Sequence, residues 1–184
     1  MSMLIDLSDR DLALHIDPRS GGAEQRWHPQ TEGHLLHETA SHTSAQAAPI
    51  LVDTLTEQTP HVWMLTAPSP TPMPRVHGSD TSLNHIQIME AVWRFTIQRV
   101  SLVDSGQAAA QDFTPAYLVV EPLKDIVDAL TRTHRRSLQQ LSSIARRGHD
   151  GNVYLAAFTS DITSARIPHE LRKQLLTLGR LQSY

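Results

Sequence analysis

A cluster of histidines and one glutamate in the first quarter of the chain has the residue types that bind zinc. His34, Glu38 and His42 follow one another at four-residue steps, and His37 lies beside Glu38. On a helix this spacing places the groups in one sector, where three or four metal-binding atoms can converge. The zinc-protease motif is absent, because one residue too many separates His37 from His42. These residues are therefore only weak metal candidates, and a solvated polar helix face is the simpler interpretation.

A second group of residues is basic and follows one face of a predicted helix. Its members are Arg132, Arg136, Gln139, Ser143 and Arg147, with Arg135, Arg146 and His149 at the flanks. Guanidinium groups bind phosphates and carboxylates through paired hydrogen bonds in one plane. The five arginines are therefore the predicted site for an anion or a partner, and an ordinary solvated helix face is again the simpler interpretation.

Other signatures of chemistry are absent from the sequence. The chain has no cysteine, which excludes disulfides, thiolate metal sites and cysteine nucleophiles. It contains neither the Gly-x-Ser-x-Gly nor the Ser-x-x-Lys nucleophile motif. Gly-x-Gly-x-x-Gly and the Walker phosphate-loop pattern are also missing from a chain with only 8 glycines. The sequence thus predicts no cofactor and no catalytic residue.

Composition and charge set the broad class of the protein. A chain of 184 residues, 40% of them hydrophobic, is predicted to form a single domain over residues 1–184. Residues 1–124 hold 14 acids and 7 Lys or Arg, whereas residues 125–184 hold 5 acids and 9 bases. The basic residues 125–184 therefore either offer a surface to an anionic partner or pack against the acidic part of the same chain. Apolar runs are short and the amino terminus is acidic, so we expect no membrane span and a cytoplasmic location.

The first half of the chain predicts short elements of mixed type. Residues 31–47 are predicted to form a helix, because Leu36, Ala40, Thr43 and Ala47 share one face. The other predicted elements are a hairpin at 3–7 and 12–16, a loop at 18–31 and a strand at 61–67. Residues 50–57 fit either a strand or a short helix with Pro49 at its first position, and we favour the helix. Prolines at alternate positions then mark a strap at 67–79, the candidate boundary between a segment 1–66 and a core 80–184.

The second half carries the clearest patterns. Residues 83–92 fit a helix or a strand, while Trp93, Phe95 and Ile97 alternate with polar residues and predict a strand. This strand and a second one at 117–121 are predicted to form an antiparallel pair. A long amphipathic helix at 123–147, a buried strand at 153–159 and a helix at 168–178 complete the chain.

These elements predict an α+β fold, with a small and mainly antiparallel sheet packed against the helix 123–147 and a carboxy-terminal helix. The lack of catalytic motifs favours a non-catalytic protein that binds another protein, such as an adaptor, inhibitor, immunity-like or assembly protein. The alternative is a nucleic-acid-binding protein that uses the basic face of the helix 123–147. The third hypothesis is a metal-dependent enzyme built on His34, Glu38 and His42.

Overall fold

The computed structural model of the chain describes residues 12–14, 25–38, 44–66 and 85–179. The strands are β1 Leu12–Leu14, β2 Gln25–Trp27, β3 Leu35–Glu38, β4 Val62–Thr66, β5 Ala116–Glu121 and β6 Val153–Thr159. The α-helices are α1 Pro29–Glu32, α2 Ser44–Gln58, α3 His85–Asp104, α4 Leu123–Thr133, α5 Arg135–Arg147 and α6 His169–Gly179. Two short 3-10 helices lie at Ala110–Asp112 and Gly148–Gly151.

The main sheet has four parallel strands in the order β3-β6-β5-β4. Leu35 lies opposite Ala156, and Tyr117 lies between Val62 and Tyr154. Every residue of β5 and β6 is buried, as expected for continuous apolar runs that are covered by helices on both faces. The small sheet of β1 and β2 is antiparallel, with Leu12 opposite Trp27.

Side-chain alternation along the strands divides the core into two layers. Tyr117 and Val119 of β5 pack with Leu51 and Leu55 of α2 and with the ring of Trp27. The intervening residues of β5 face the other way, into a larger layer that helices α3 to α6 cover. The molecule is therefore an α/β sandwich with α2 on one face of the sheet and four helices on the other.

The predicted antiparallel sheet is wrong, because a helix separates each pair of consecutive strands in the main sheet. The chief error concerns residues 85–104, which form helix α3 instead of ending in a strand. The alternation of Trp93, Phe95 and Ile97 with polar residues predicted a strand, but these residues lie in helix α3. The buried residues of α3 recur at helical steps and are Ile88, Met89, Val92, Thr96, Arg99 and Val100. A helix in this place lets β4 and β5 run in the same direction.

Two helix predictions also need correction. Residues 35–38 form strand β3, and the helix that follows begins only at Ser44, so the predicted helix 31–47 is wrong. The predicted helix 123–147 is two helices, because the backbone of His134 leaves the helical region with φ −159° and ψ 82°.

Several elements are confirmed where the sequence predicted them. They are the helix at 50–57, which lies within α2 with Pro49 in its interior, the strands at 61–67, 117–121 and 153–159, and the final helix. The predicted hairpin strand at 3–7 and the proline strap at 67–79 lie outside the described residues.

Candidate functional site

A crevice for a ligand is expected at the carboxyl ends of β3 and β6. The helix that follows β3 packs on one face of the sheet, whereas α6, which follows β6, packs on the other. Connections that leave neighbouring parallel strands toward opposite faces open a crevice between them, and open α/β sheets bind ligands there. Helix α2 begins six residues after the end of β3, so its first turn lies on the α2 side of the expected crevice, where backbone N–H groups can bind an anion.

Four side chains at this edge point toward the face covered by α2. Alternation along the strands assigns them as His37, Thr66, Glu121 and Phe158. His37 lies opposite Phe158, and Val120 lies opposite Ala157, so His37 and Glu121 flank the Phe158 ring. Neighbouring strands are about 4.8 Å apart, so the backbones of His37 and Glu121 are about 10 Å from each other.

Glu121 is the most unusual residue of this edge. Only 7% of the residue is exposed, and its Oε1 atom has no hydrogen-bond partner. Burial raises the pKa of Glu121 to about 7, and no charged neighbour opposes this rise. The sequence analysis did not identify this residue, although an acid at the end of an apolar run was a usable signal.

The other polar groups of the edge make ring contacts or hydrogen bonds. Burial lowers the pKa of His37, against the attraction of Glu38, and its ring lies 5.9 Å from that of Phe158. The Nε2 atom of His85 is 2.7 Å from the Thr66 carbonyl oxygen. Glu38 faces away from α2, and its carboxylate accepts a hydrogen bond from the Ile162 N–H at 3.4 Å.

The connection from β3 to α2 would be the phosphate-binding segment in a nucleotide-binding fold of this topology. Residues 39–43 lie outside the described part of the chain, so only their sequence enters here. From Glu38 to Ser44 the chain reads Glu-Thr-Ala-Ser-His-Thr-Ser, without the glycines and the lysine of the Walker pattern. A triphosphate would therefore lack its usual lysine partner at this site.

The donors that a magnesium ion would need are partly present at this edge. Magnesium in such sites is held by an ionised acid at a strand end together with a hydroxyl of the phosphate loop. Glu121 is a buried acid at the end of β5, and the next residue is Pro122 instead of a second acid. Thr43 and Ser44 are hydroxyl residues in the sequence that leads into α2. Glu121 and these hydroxyl residues are therefore the ones that would hold the ion.

The predicted metal cluster does not assemble in the described residues. His34 precedes β3 at the amino edge of the sheet, while Glu38 ends the strand at the carboxyl edge. His34 is fully buried, and its Nδ1 accepts a hydrogen bond from the Leu155 N–H at 3.0 Å. No group of three or more metal-binding side chains occurs in the described ranges, and His42 lies outside them.

The five predicted anion-binding arginines are distributed over two helices. Arg132 lies on α4 and the other four on α5, so the break at His134 divides the stripe. Arg147 is engaged by the carboxylate of Asp104 at 2.9 and 3.0 Å and by Asp150 at 3.2 Å. The remaining four members are exposed and are Arg132, Arg135, Arg136 and Arg146.

A groove of about 400 Å³ runs between α5 and α6. Its lining includes Leu138, Ser142 and Arg146 from α5, and Pro168 and Glu170 from the start of α6. The groove therefore joins an apolar floor to one basic and one acidic side chain, on the opposite side of the sheet from α2.

Comparison with known proteins identifies relatives by structure only. No family model and no curated protein matches the sequence. The fold is similar to that of Thermomonospora curvata EccC, ATPases 2 and 3, in complex with a signal sequence peptide. That alignment has a TM-score of 0.64 and 14% identity, and it covers 83% of this chain and 32% of the other. The cytoplasmic domain of EssC aligns with a TM-score of 0.60 and 13% identity, covering 95% of this chain and 36% of the other.

A third similar structure is the pCW3 conjugation coupling protein TcpA with ATPgS, with a TM-score of 0.58 and 10% identity. The alignment covers 92% of this chain and 58% of the TcpA chain. The chain therefore spans about a third of the EccC and EssC chains and less than two thirds of TcpA.

These similarities show an α/β fold that resembles P-loop ATPase domains. They overturn the interpretation of the chain as a non-catalytic adaptor, inhibitor, immunity-like or assembly protein, because the similar structures include ATPases 2 and 3 of EccC and TcpA with ATPgS, which point to a nucleotide-binding fold. Within the described residues, no helix has the length and apolar character needed to cross a membrane.

Proposed function

We propose that this chain is a nucleotide-binding domain of ATPase fold, similar to the ATPases of EccC and to the conjugation coupling protein TcpA, and that it acts in the cytoplasm. The observation that carries the proposal is the strand topology, in which the helices after β3 and β6 lie on opposite faces and α2 covers the same face as the buried Glu121, whose Oε1 atom has no partner. Polar atoms that are buried without a partner commonly mark ligand sites.

The similar structures support this assignment at the level of the domain. The EccC structure contains ATPases 2 and 3 with a signal sequence peptide, and TcpA is a conjugation coupling protein with ATPgS. The aligned portion is about a third of the EccC and EssC chains. We therefore expect this chain to act beside further domains, with a protein or a peptide as its partner.

The residues of the crevice favour binding over turnover. Backbone N–H groups at the start of α2 can bind phosphate oxygens, because the helix dipole favours negative charge there. The missing lysine removes a contact to the β- and γ-phosphates, and Pro122 removes a second acid beside Glu121. We therefore expect nucleotide affinity in the micromolar to millimolar range and no rapid hydrolysis.

Isothermal titration of ADP and ATP into the full chain tests the proposal. The variant Ser44→Asp places a negative charge in the first turn of α2 and should weaken binding at least about tenfold by repelling phosphate. The matched control, Gln58→Glu, adds the same charge at the other end of α2 and should bind nucleotide as the parent chain does. Absence of saturable binding at millimolar nucleotide would rule out the function.

A second candidate function is the binding of a protein segment in the groove between α5 and α6. The groove supports it because apolar grooves edged by single charges fit amphipathic segments. Arg146 would bind an acidic group of that segment, and Arg135 and Arg136 would extend the basic surface.

Site-specific photo-crosslinking in cells tests this second function. A crosslinker at Ser143 should capture one defined protein, and Arg146→Glu should abolish the adduct. Arg132→Glu, which reverses a charge on α4 outside the groove, serves as the control and should leave the adduct unchanged. Equal adducts from all variants would contradict a specific groove.

A further inference from the structure

We propose that the chain associates head to tail with a second copy of itself, through the acidic outer face of α2 on one copy and the basic start of α5 on the next. The acidic face consists of Asp53 and Glu57, and the basic face consists of Arg135 and Arg136, all four of them exposed. Neither face includes a residue of the crevice or Arg146 of the groove, so the contact is separate from both proposed binding sites.

The two faces lie on opposite sides of the sheet. Helix α2 has two acids and no lysine or arginine, whereas α5 has four arginines and no acid. Leu51 and Leu55 bury one side of α2 against the sheet, and Asp53 and Glu57 lie on the side turned away from it. Helix α5 packs on the other face of the sheet through its own apolar side. The sheet therefore prevents the acids of α2 from neutralising the arginines of the same copy.

The charges of both faces lack a counter-charge within the described part of the chain. The two acids and Arg135 form no ion pair with another described residue. Arg136 acts on Glu90, but the carboxylate of Glu90 is already bonded to Arg94 at 2.8 Å. A partner of opposite charge can therefore approach either face without first breaking an ion pair of the basic or the acidic face.

Both faces carry the charge that their own helix end disfavours. Glu57 lies in the last turn of α2, at the negative end of the helix dipole. Arg135 and Arg136 are the first two residues of α5, at its positive end, and no side chain caps this end. Contact between the end of α2 in one copy and the start of α5 in the next would place opposite side-chain charges and opposite dipole ends together. One chain thus supplies both halves of a complementary contact, which favours a second copy as the occupant.

The placement of the faces determines the kind of assembly. Each copy that has used its basic face still offers its acidic face, so the contact is heterologous and continues beyond a dimer. Charged surface contacts contribute more to orientation and association rate than to affinity. We therefore expect weak association, with a dissociation constant on the order of 0.1 to 1 mM.

Sedimentation velocity of the full chain tests the inference over protein concentrations from about 0.05 to 1 mM. In about 0.05 M NaCl the average mass should rise with concentration above that of the 20.5 kDa monomer. In about 1 M NaCl, where charges are screened within about 3 Å, the chain should remain monomeric.

Charge reversal of each face identifies the contact. Asp53→Arg with Glu57→Arg reverses the acidic face, and Arg135→Glu with Arg136→Glu reverses the basic face. Each reversed chain alone should be monomeric, because it presents two faces of the same sign. An equal mixture of the two should associate, since each supplies the native face that the other lacks. A chain with all four substitutions keeps the net charge of −3 and should associate as the parent chain does.

Thermal unfolding of dilute samples controls for damage to the fold. Each reversal places the favoured sign of charge at a helix end, so the melting temperature of the reversed chains should be equal to that of the parent or higher. Loss of association in these variants therefore reports on the contact and not on folding.

A parent chain that remains monomeric at 1 mM in low salt would overturn the inference. Association that survives either reversal, or that persists in about 1 M NaCl, would also overturn it, because another surface would then be responsible. A mixture of the two reversed chains that fails to associate would contradict the pairing of these two faces. Nucleotide binding is measured separately by the ADP titration, so none of these results bears on the proposed function.

Discussion

Acid should destabilise the fold through His34, a side chain that no ligand site uses. The residue is fully buried between the start of β3 and strand β6, and its Nδ1 accepts the Leu155 N–H. Since Nδ1 is an acceptor, the ring proton of the neutral imidazole must be on Nε2. Protonation would place a charge in the core, beside His149 at a ring distance of 6.1 Å, and would remove the acceptor.

The size of the stability loss follows from the pKa of His34 in the folded and in the unfolded chain. Burial, with a smaller contribution from His149, lowers the pKa of His34 from 6.5 to about 4. Between these two pH values the unfolded chain binds one more proton than the folded chain, so stability falls as pH falls. At about 1.4 kcal/mol per pH unit, the loss between pH 6.5 and pH 4 is roughly 3 kcal/mol. That is a large share of the 5–15 kcal/mol typical of a domain.

Urea unfolding at pH 7, 5.5 and 4.5 measures this loss when it is compared with the variant His34→Gln. The glutamine oxygen can accept the Leu155 N–H but does not titrate, so the free-energy difference between the two chains isolates His34. We expect the parent chain to lose about 2 to 3 kcal/mol relative to the variant over this range. A difference that stays constant with pH would refute the assignment of a buried, neutral His34.

Three further predictions concern stability. Glu121 should make the free energy of unfolding fall as pH rises, the opposite of His34, because folding raises its pKa from 4.5 to about 7. Urea unfolding should show that the parent chain loses about 3 kcal/mol of stability relative to Glu121→Gln between pH 4.5 and pH 8. Arg99→Met should cost about 2 kcal/mol, because the guanidinium lies 4.2 Å from the Phe95 ring centroid and donates to the Thr114 carbonyl at 2.7 Å; unchanged thermal stability would contradict this. Gly148→Ala should cost more than about 2 kcal/mol, because a Cβ atom would lie 2.5 Å from the Val153 carbonyl oxygen. Gly106→Ala, which has open space but φ of +68°, should cost only about 1 kcal/mol, and a calorimetric comparison of the two variants checks the order.

Local apolar runs were sufficient to predict three of the four parallel strands, but not their direction. The runs at Tyr117–Val120 and Val153–Phe158 have no polar alternation, which is typical of strands buried on both faces. Reading residues 93–103 as a strand nevertheless led to an antiparallel pair. In a helix, Phe95 and Arg99 lie one turn apart and stack on each other, an arrangement that the period-two pattern concealed.

The site could be predicted less well than the fold, because its parts meet only through long-range contacts. The four-residue spacing predicted His34 and Glu38 on one helix face, whereas strand β3 places the two residues at opposite edges of the sheet. The proton affinity of Glu121 depends on burial by elements distant in sequence, and a pattern of residue types does not record it. The absence of the Walker pattern is a fact of the sequence, but it did not exclude a fold similar to that of the EccC ATPases, because a fold can be retained without the motif of one function.

The strand order has a consequence for how this chain folds during synthesis. Strand β3 pairs only with β6 in the main sheet, and the contact between His34 and Leu155 joins residues 121 positions apart. The first parallel strand to leave the ribosome is thus the last to gain a neighbour, and closing so long a loop slows folding. Nascent chains that end before Val153 leave β3 without its partner, and this is the stage at which the fold is most open to association with other chains.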